Sequence, residues 1–347
     1  MATRGMSQCS WTCAAMAEEG ALKGSELTLD ANEAHRLAIA ALRSRGVRAD
    51  VARDVADSLV GAEIAGKPTH GLHLLPRYLA DLDAGKLDRS AVVSVDEHGF
   101  HAVVHGSRVP GAHVASTALS LASRVARRTG FATVAMPDIA HCGRLGGYVE
   151  AIAAGDQIAM MTVGSLNSDD GFVSPFGGRG RRLDTNPIAF AFPAVRGPVV
   201  IDLATSAVTY NHVRLCAANN VPLDAGTACD ASGRPTTVAS EVLDGGWALP
   251  LAGAQGFALA LIAPLLAALA EGSESGTLTG AYAVVLDVAT QTDPAEYRAR
   301  VQSSLDRLTK FEQHSGAVRI PGQDRSTRIA LGAELMYALK TEAGVVA

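Results

Sequence analysis

Long basic blocks, Cys-x-x-Cys pairs and membrane-length apolar runs are all missing from this 347-residue chain. With a net charge of −5, the lack of a basic block argues against nucleic acid or an anionic membrane as the main partner. The five cysteines (Cys9, Cys13, Cys142, Cys216 and Cys229) are odd in number and scattered, so no disulfide framework is expected and a reducing cytoplasm fits. The longest apolar run, Phe257 to Ala270, has 14 residues, which suits a buried core helix and is short for a bilayer span. Charged residues are few, 19% against 48% hydrophobic, which excludes disorder over most of the length. Residues 1 to 26 are the exception and read as a polar, disordered leader without a signal-peptide core.

Familiar site motifs are missing as well. Gly-x-Gly-x-x-Gly follows none of the candidate strands, so neither a conventional Rossmann phosphate loop nor a P-loop is expected. Ser-nucleophile elbows and paired zinc-ligand patterns are lacking, and no metal site is expected.

What is there begins with helices. Asp30 suits an N-cap, with Glu33 three residues on, and Leu37, Ala38, Ala41 and Leu42 form one apolar face. A second helix carries Val51, Val55, Leu59 and Ala62 on one stripe. The segment Thr69 to Tyr78 leads into a third, ending near Asp83, with Pro76 as its first residue or a kink. If that helix runs through, His70, Leu74 and Arg77 share a face. From about residue 91 strands and helices alternate: strands at 92–95, 102–105, 131–136, 158–163, 188–192 and 199–203, and helices at 110–128 and 145–154. Helices are expected again at 257–270, 294–308 and 325–340. The alternation implies an α/β layered domain.

The most informative segment is Pro137 to Tyr148, between a strand-like and a helix-like run. A histidine on such a loop, His141, with glycines opening the backbone, is placed to give or take a proton; a histidine packed in a turn is the other reading. Cys142 reads as a small loop residue rather than a nucleophile, since its thiolate has no partner in sequence. Two further stretches, Ser174–Pro187 and Ile201–Ser206, read either as loop punctuation or as places where backbone amides approach a phosphate.

Taken together and in order, these segments resemble the malate/L-lactate dehydrogenase family that lacks a Rossmann fold. That family includes ureidoglycolate, sulfolactate and 2,3-diketogulonate-type dehydrogenases and Δ1-piperideine-2-carboxylate reductase. The markers are Thr69-His70-Gly71 with Leu75-Pro76-Arg77-Tyr78, Ala140-His141-Cys142-Gly143, Pro175-Phe176-Gly177-Gly178 and Thr185-Asn186-Pro187. They continue through Asp202-Leu203-Ala204-Thr205-Ser206, Asp230 with Gly233 to Thr237, Gly253-Ala254-Gln255-Gly256 and Ile320 to Gln323. The resemblance implies a non-Rossmann, mixed-sheet domain over 91–289 that binds NAD(H) or NADP(H). It implies a helical, dimerising part from 27–90 and 290–347, and a homodimer acting on a small molecule. It implies His141 as acid/base and His70, with the positions of Leu74 and Arg77, in the substrate pocket. Cofactor contacts are implied at Ser165, Thr185, Asn186, Pro187, Asp202, Leu203, Ala204 and Gln255.

The chain departs from that pattern in three places. The family's carboxylate-gripping arginine is Leu74, its cofactor-contacting lysine is Gln255, and the glycine before Thr-Asn-Pro is Asp184. Leu74 points to a substrate other than simple 2-hydroxy acids, a ketone or cyclic imine of secondary metabolism. The alternative is a member that has lost redox activity and keeps the pocket for binding or non-redox proton transfer.

Overall fold

The computed structural model describes residues 26–106, 108–167, 171–269, 278–310, 318–323 and 328–345. The expected leader falls outside them, except that Glu26 opens a strand. The strands are β1 (Glu26–Asp30), β2 (Ser94–His98), β3 (His101–His105), β4 (Phe131–Pro137), β5 (Gln157–Leu166) and β6 (Ile188–Phe192). After them come β7 (Val199–Leu203), β8 (Ala228–Cys229), β9 (Pro235–Thr236), β10 (Trp247–Ala248), β11 (Leu278–Asp287) and β12 (Arg328–Gly332). Seven form one mixed sheet in the order β2-β3-β4-β11-β5-β6-β7, where β3 and β4 run parallel and the other neighbours antiparallel. No Rossmann order is present, as the missing fingerprint implied.

Helix Gly111–Thr129 packs on this sheet through Ala115, Ala118, Ala122 and Ala126, whose small side chains let the helix backbone come close to β4 and β11. Gly111 goes further. A Cβ there would stand 2.0 Å from the Ala140 carbonyl oxygen and 2.8 Å from that of His141. Gly111→Ala should therefore push the His141 loop aside and cost about 2 kcal/mol, read from a urea midpoint. An unchanged midpoint would show that the loop gives way freely.

A second core joins both ends of the chain. Leu37, Leu42, Leu59 and Leu75 pack with Ile329, Leu331, Met336 and Leu339. Asp30 caps helix Ala31–Ser44 by accepting from the Asn32 N–H at 2.9 Å, and the expected apolar face is buried. Helix Pro294–Thr309, expected with this helical part, is instead tied to the sheet region through Arg298 to Asp156 and Asp306 to Arg196.

Two expected helices are corrected. The stretch 325–340 is not one helix: β12 pairs antiparallel with β1, and only Ala333–Glu342 is helical. The helix expected over 257–270 is two short ones, Ala254–Ala260 and Ile262–Ala267. Pro264 has no N–H to give the Ala260 carbonyl, which accepts from Asn186 Nδ2 at 2.7 Å instead. β11, the central strand, and helix Tyr210–Asn219 were not foreseen. Of the two readings of Pro76, the helix start holds: Pro76 lies in the first turn of helix Leu75–Asp83, and two 3-10 turns, Pro68–His70 and Leu72–Leu74, precede it, so the helix does not run through from His70.

Candidate active site

A cleft of about 600 Å³ opens where β5 and β11 meet the loop after β4 and the start of helix Tyr210–Asn219. Its walls bring together His70, Arg77, His141, Asp184, Thr185 and Asn211. The volume is in the usual range for a small-molecule site.

His141 is solvent-accessible along the cleft, though protein surrounds it on its other sides. Its Nδ1 shares a 2.6 Å hydrogen bond with Tyr78 Oη, and Nε2 has no hydrogen-bond partner among the described residues. Desolvation, then the charges of Arg77, His70 and His73, holds the imidazole below its ordinary value, so it rests neutral. Burial raises the Tyr78 phenol, which stays protonated. The loop is pinned from beneath: the Cys142 carbonyl accepts from Ser58 Oγ at 3.3 Å and from Tyr148 Oη. The Cys142 thiol is buried and pushed up to about 12, which fits an inert loop residue.

His70 Nδ1 meets Thr69 Oγ1 at 3.2 Å, and desolvation, followed by Arg144 and Lys67, lowers it to about 4. Two histidines without charge thus face one cleft beside the Arg77 guanidinium.

The family model for malate/L-lactate dehydrogenase matches residues 29–334. The chain belongs to the malate/L-lactate dehydrogenase family. It is 35% identical over 251 residues to an L-lactate dehydrogenase of Cupriavidus necator, covering 71% of this chain and 72% of that protein. It is 33% identical over 305 residues to a (2R)-3-sulfolactate dehydrogenase (NADP(+)) of Chromohalobacter salexigens, covering 84% and 89%. Among solved structures, Δ1-piperideine-2-carboxylate reductase from Pseudomonas syringae superposes with a TM-score of 0.80 at 27% identity over 91% of this chain and 99% of that one. As a member of this family the chain is an oxidoreductase.

The other expected site residues of this dehydrogenase are placed unevenly. Thr185 and Pro187 line the cleft. Ser165 is buried behind it; its Oγ donates to Asp184 at 2.8 Å and its N–H to Asn186 Oδ1 at 3.0 Å. Asn186 is fully buried, and its amide is spent on Ser165 and Ala260 backbone, so it braces the wall rather than facing a ligand. Asp202 lies off the cleft, accepting from Gly146 N–H at 2.7 Å and pairing with Arg144 Nε at 3.4 Å. Burial raises the Asp202 carboxyl against the pull of Arg144. Leu203 and Gln255 are exposed, and neither they nor Ala204 line this cleft. Leu74 is buried in the helical core and borders a neighbouring cavity instead.

Tyr78 and Arg181 were given no role by sequence reasoning. Tyr78 stands 63 residues before His141, beyond any spacing rule. Arg181 lines the cleft and is anchored by donating to the Gly246 and Val242 carbonyls at 2.7 and 2.9 Å. His101 and His105 share one face of β3 but bond Thr133 and Asp96, and no group of three metal-type ligands exists among the described residues. No described helix is long and apolar enough to cross a membrane.

Proposed function

We propose that this dehydrogenase moves a hydride between NAD(H) or NADP(H) and a C=O or C=N carbon, with His141 as the acid/base. The observation that carries the reading is an accessible, neutral imidazole, tied at Nδ1 and open at Nε2. The cleft residues suit a nicotinamide group. Thr185 offers a hydroxyl, and Phe172 with Tyr210 forms an edge-to-face aromatic pair 5.3 Å apart. Bound there, the cofactor supplies the hydride acceptor or donor.

In the oxidative direction His141 Nε2 accepts the proton of the substrate's hydroxyl or amine as its carbon gives up hydride. In reduction the same atom returns it. For Nε2 to accept, the neutral ring carries its proton on Nδ1 and donates it to Tyr78 Oη, which fixes the ring. Tyr78→Phe should lower kcat about tenfold, near 1.4 kcal/mol, with KM nearly unchanged. A loss confined to KM would remove Tyr78 from this role.

The substrate differs from simple 2-hydroxy acids, and a ketone or cyclic imine of secondary metabolism fits. Leu74 brings no charge and turns from the cleft, while Asp184 adds a carboxylate to it. The active form is a homodimer in the cytoplasm, and the free Cys142, Cys216 and Cys229 suit a reducing compartment. The test is an assay of the pure protein with both cofactors against 2-oxo acids, cyclic imines and bulky ketones. Brisk turnover of pyruvate or oxaloacetate would overturn the substrate assignment alone. Failure to bind NADH or NADPH at millimolar concentration would overturn the redox reading and favour non-redox proton transfer.

A further inference from the structure

Behind the His70–Arg77 segment lies a second cavity of about 430 Å³. One part of its lining is apolar, from Leu74, Leu215, Leu331 and Leu335. Another part carries two guanidinium groups, Arg77 and Arg214. Arg77 is drawn toward Asp81 at 3.8 Å, but Arg214 has no hydrogen bond or ion pair among the described residues. Asn211 Nδ2 donates to the Thr69 carbonyl at 3.1 Å, bridging helix Tyr210–Asn219 to the His70 turn between this chamber and the cleft.

The other titratable groups of the chamber leave the positive sign in excess. His73 is held below its ordinary value, first by desolvation, and so carries no charge near neutrality. Glu63 is the one carboxylate among the described residues of the lining; it already accepts from the Leu72 N–H at 2.7 Å, and burial raises it to about 7. A planar guanidinium without a carboxylate, beside leucines, matches a molecule with one carboxylate head and a short apolar body.

We propose that this chamber is a second ligand site, adjoining the nicotinamide cleft with which it shares Arg77 and Asn211, which takes a small amphipathic monocarboxylate with its head on Arg214 and its body against Leu74, Leu215 and Leu335. The bridge from Asn211 to Thr69 favours a separate molecule over an extension of the substrate.

Hexanoate is the probe, titrated into the full-length protein by calorimetry and by ligand-observed NMR. The expected result is saturable binding, weakened about tenfold or more in Arg214→Ala and by replacing hexanoate with 1-hexanol, a change of about 1.4 kcal/mol. Saturating NADPH should not displace the probe. Equal affinity of Arg214→Ala or of 1-hexanol, displacement by NADPH, or no binding up to about 20 mM would each overturn the site. The last result is also what a second copy of this chain filling the cavity would give. Because the readout is binding, it stands apart from the turnover assays that test the redox reading.

Discussion

His141→Ala is expected to lower kcat by about 10²-fold or more while leaving NADH and NADPH affinity nearly unchanged. The loss follows from geometry: among the described residues His141 has an accessible ring nitrogen with no protein partner, and its loop is pinned by Ser58, Tyr148 and the close approach of Gly111. The pH profile supplies a second readout. A histidine held below its ordinary value of 6.5 keeps its base form as pH falls through that value. In the oxidative direction kcat/KM should therefore show no acid limb near 6.5. Such a limb, or a variant with unaltered kcat, would remove His141 as the base.

Glu63→Gln is expected to stabilise the protein at pH 8 by up to about 3 kcal/mol and to have no effect near pH 4.5. The Glu63 carboxyl sits where a side chain on Gly71 would be, with Oε1 only 2.0 Å from an idealised Cβ. Burial raises it from an ordinary 4.5 to about 7. A group whose folded value is raised stabilises fully below its unfolded value and loses that contribution as pH rises through the folded one. Between pH 4.5 and 7 the wild type therefore loses stability, whereas the glutamine stays neutral and can still accept from Leu72 N–H. Urea midpoints at pH 5 and 8 measure the difference. Equal midpoints for the two proteins at pH 8 would show that Glu63 ionises without penalty.

Much of the local structure was legible because period and caps act over short distances. The Asp30 cap, the faces of the first two helices, the strand–loop–helix around His141 and the strands β6 and β7 rest on neighbours within a few residues. The misreadings have a common cause. β12 looks helical until β1, some 300 residues earlier, offers it a hydrogen-bonded partner. β11 has the β-branched residues of a strand, but its central place depends on β4 and β5 arriving on either side. The split at Pro264 becomes stable only because Asn186, 74 residues away from Ala260, takes the carbonyl that the proline frees.

The site divides the same way. By itself the sequence determined the class: an α/β chain without a Rossmann loop, bearing an ordered set of family segments with a histidine on an open loop. Residue type and order carry that much, since glycine, histidine and proline constrain the backbone or the chemistry wherever they stand. The tertiary structure alone decided that Tyr78 holds His141, that Asn186 is a brace, and that Leu74 turns toward a second chamber shared with Arg214. Those are matters of direction. A side chain's direction is fixed by which distant element packs against it, and no local pattern encodes that.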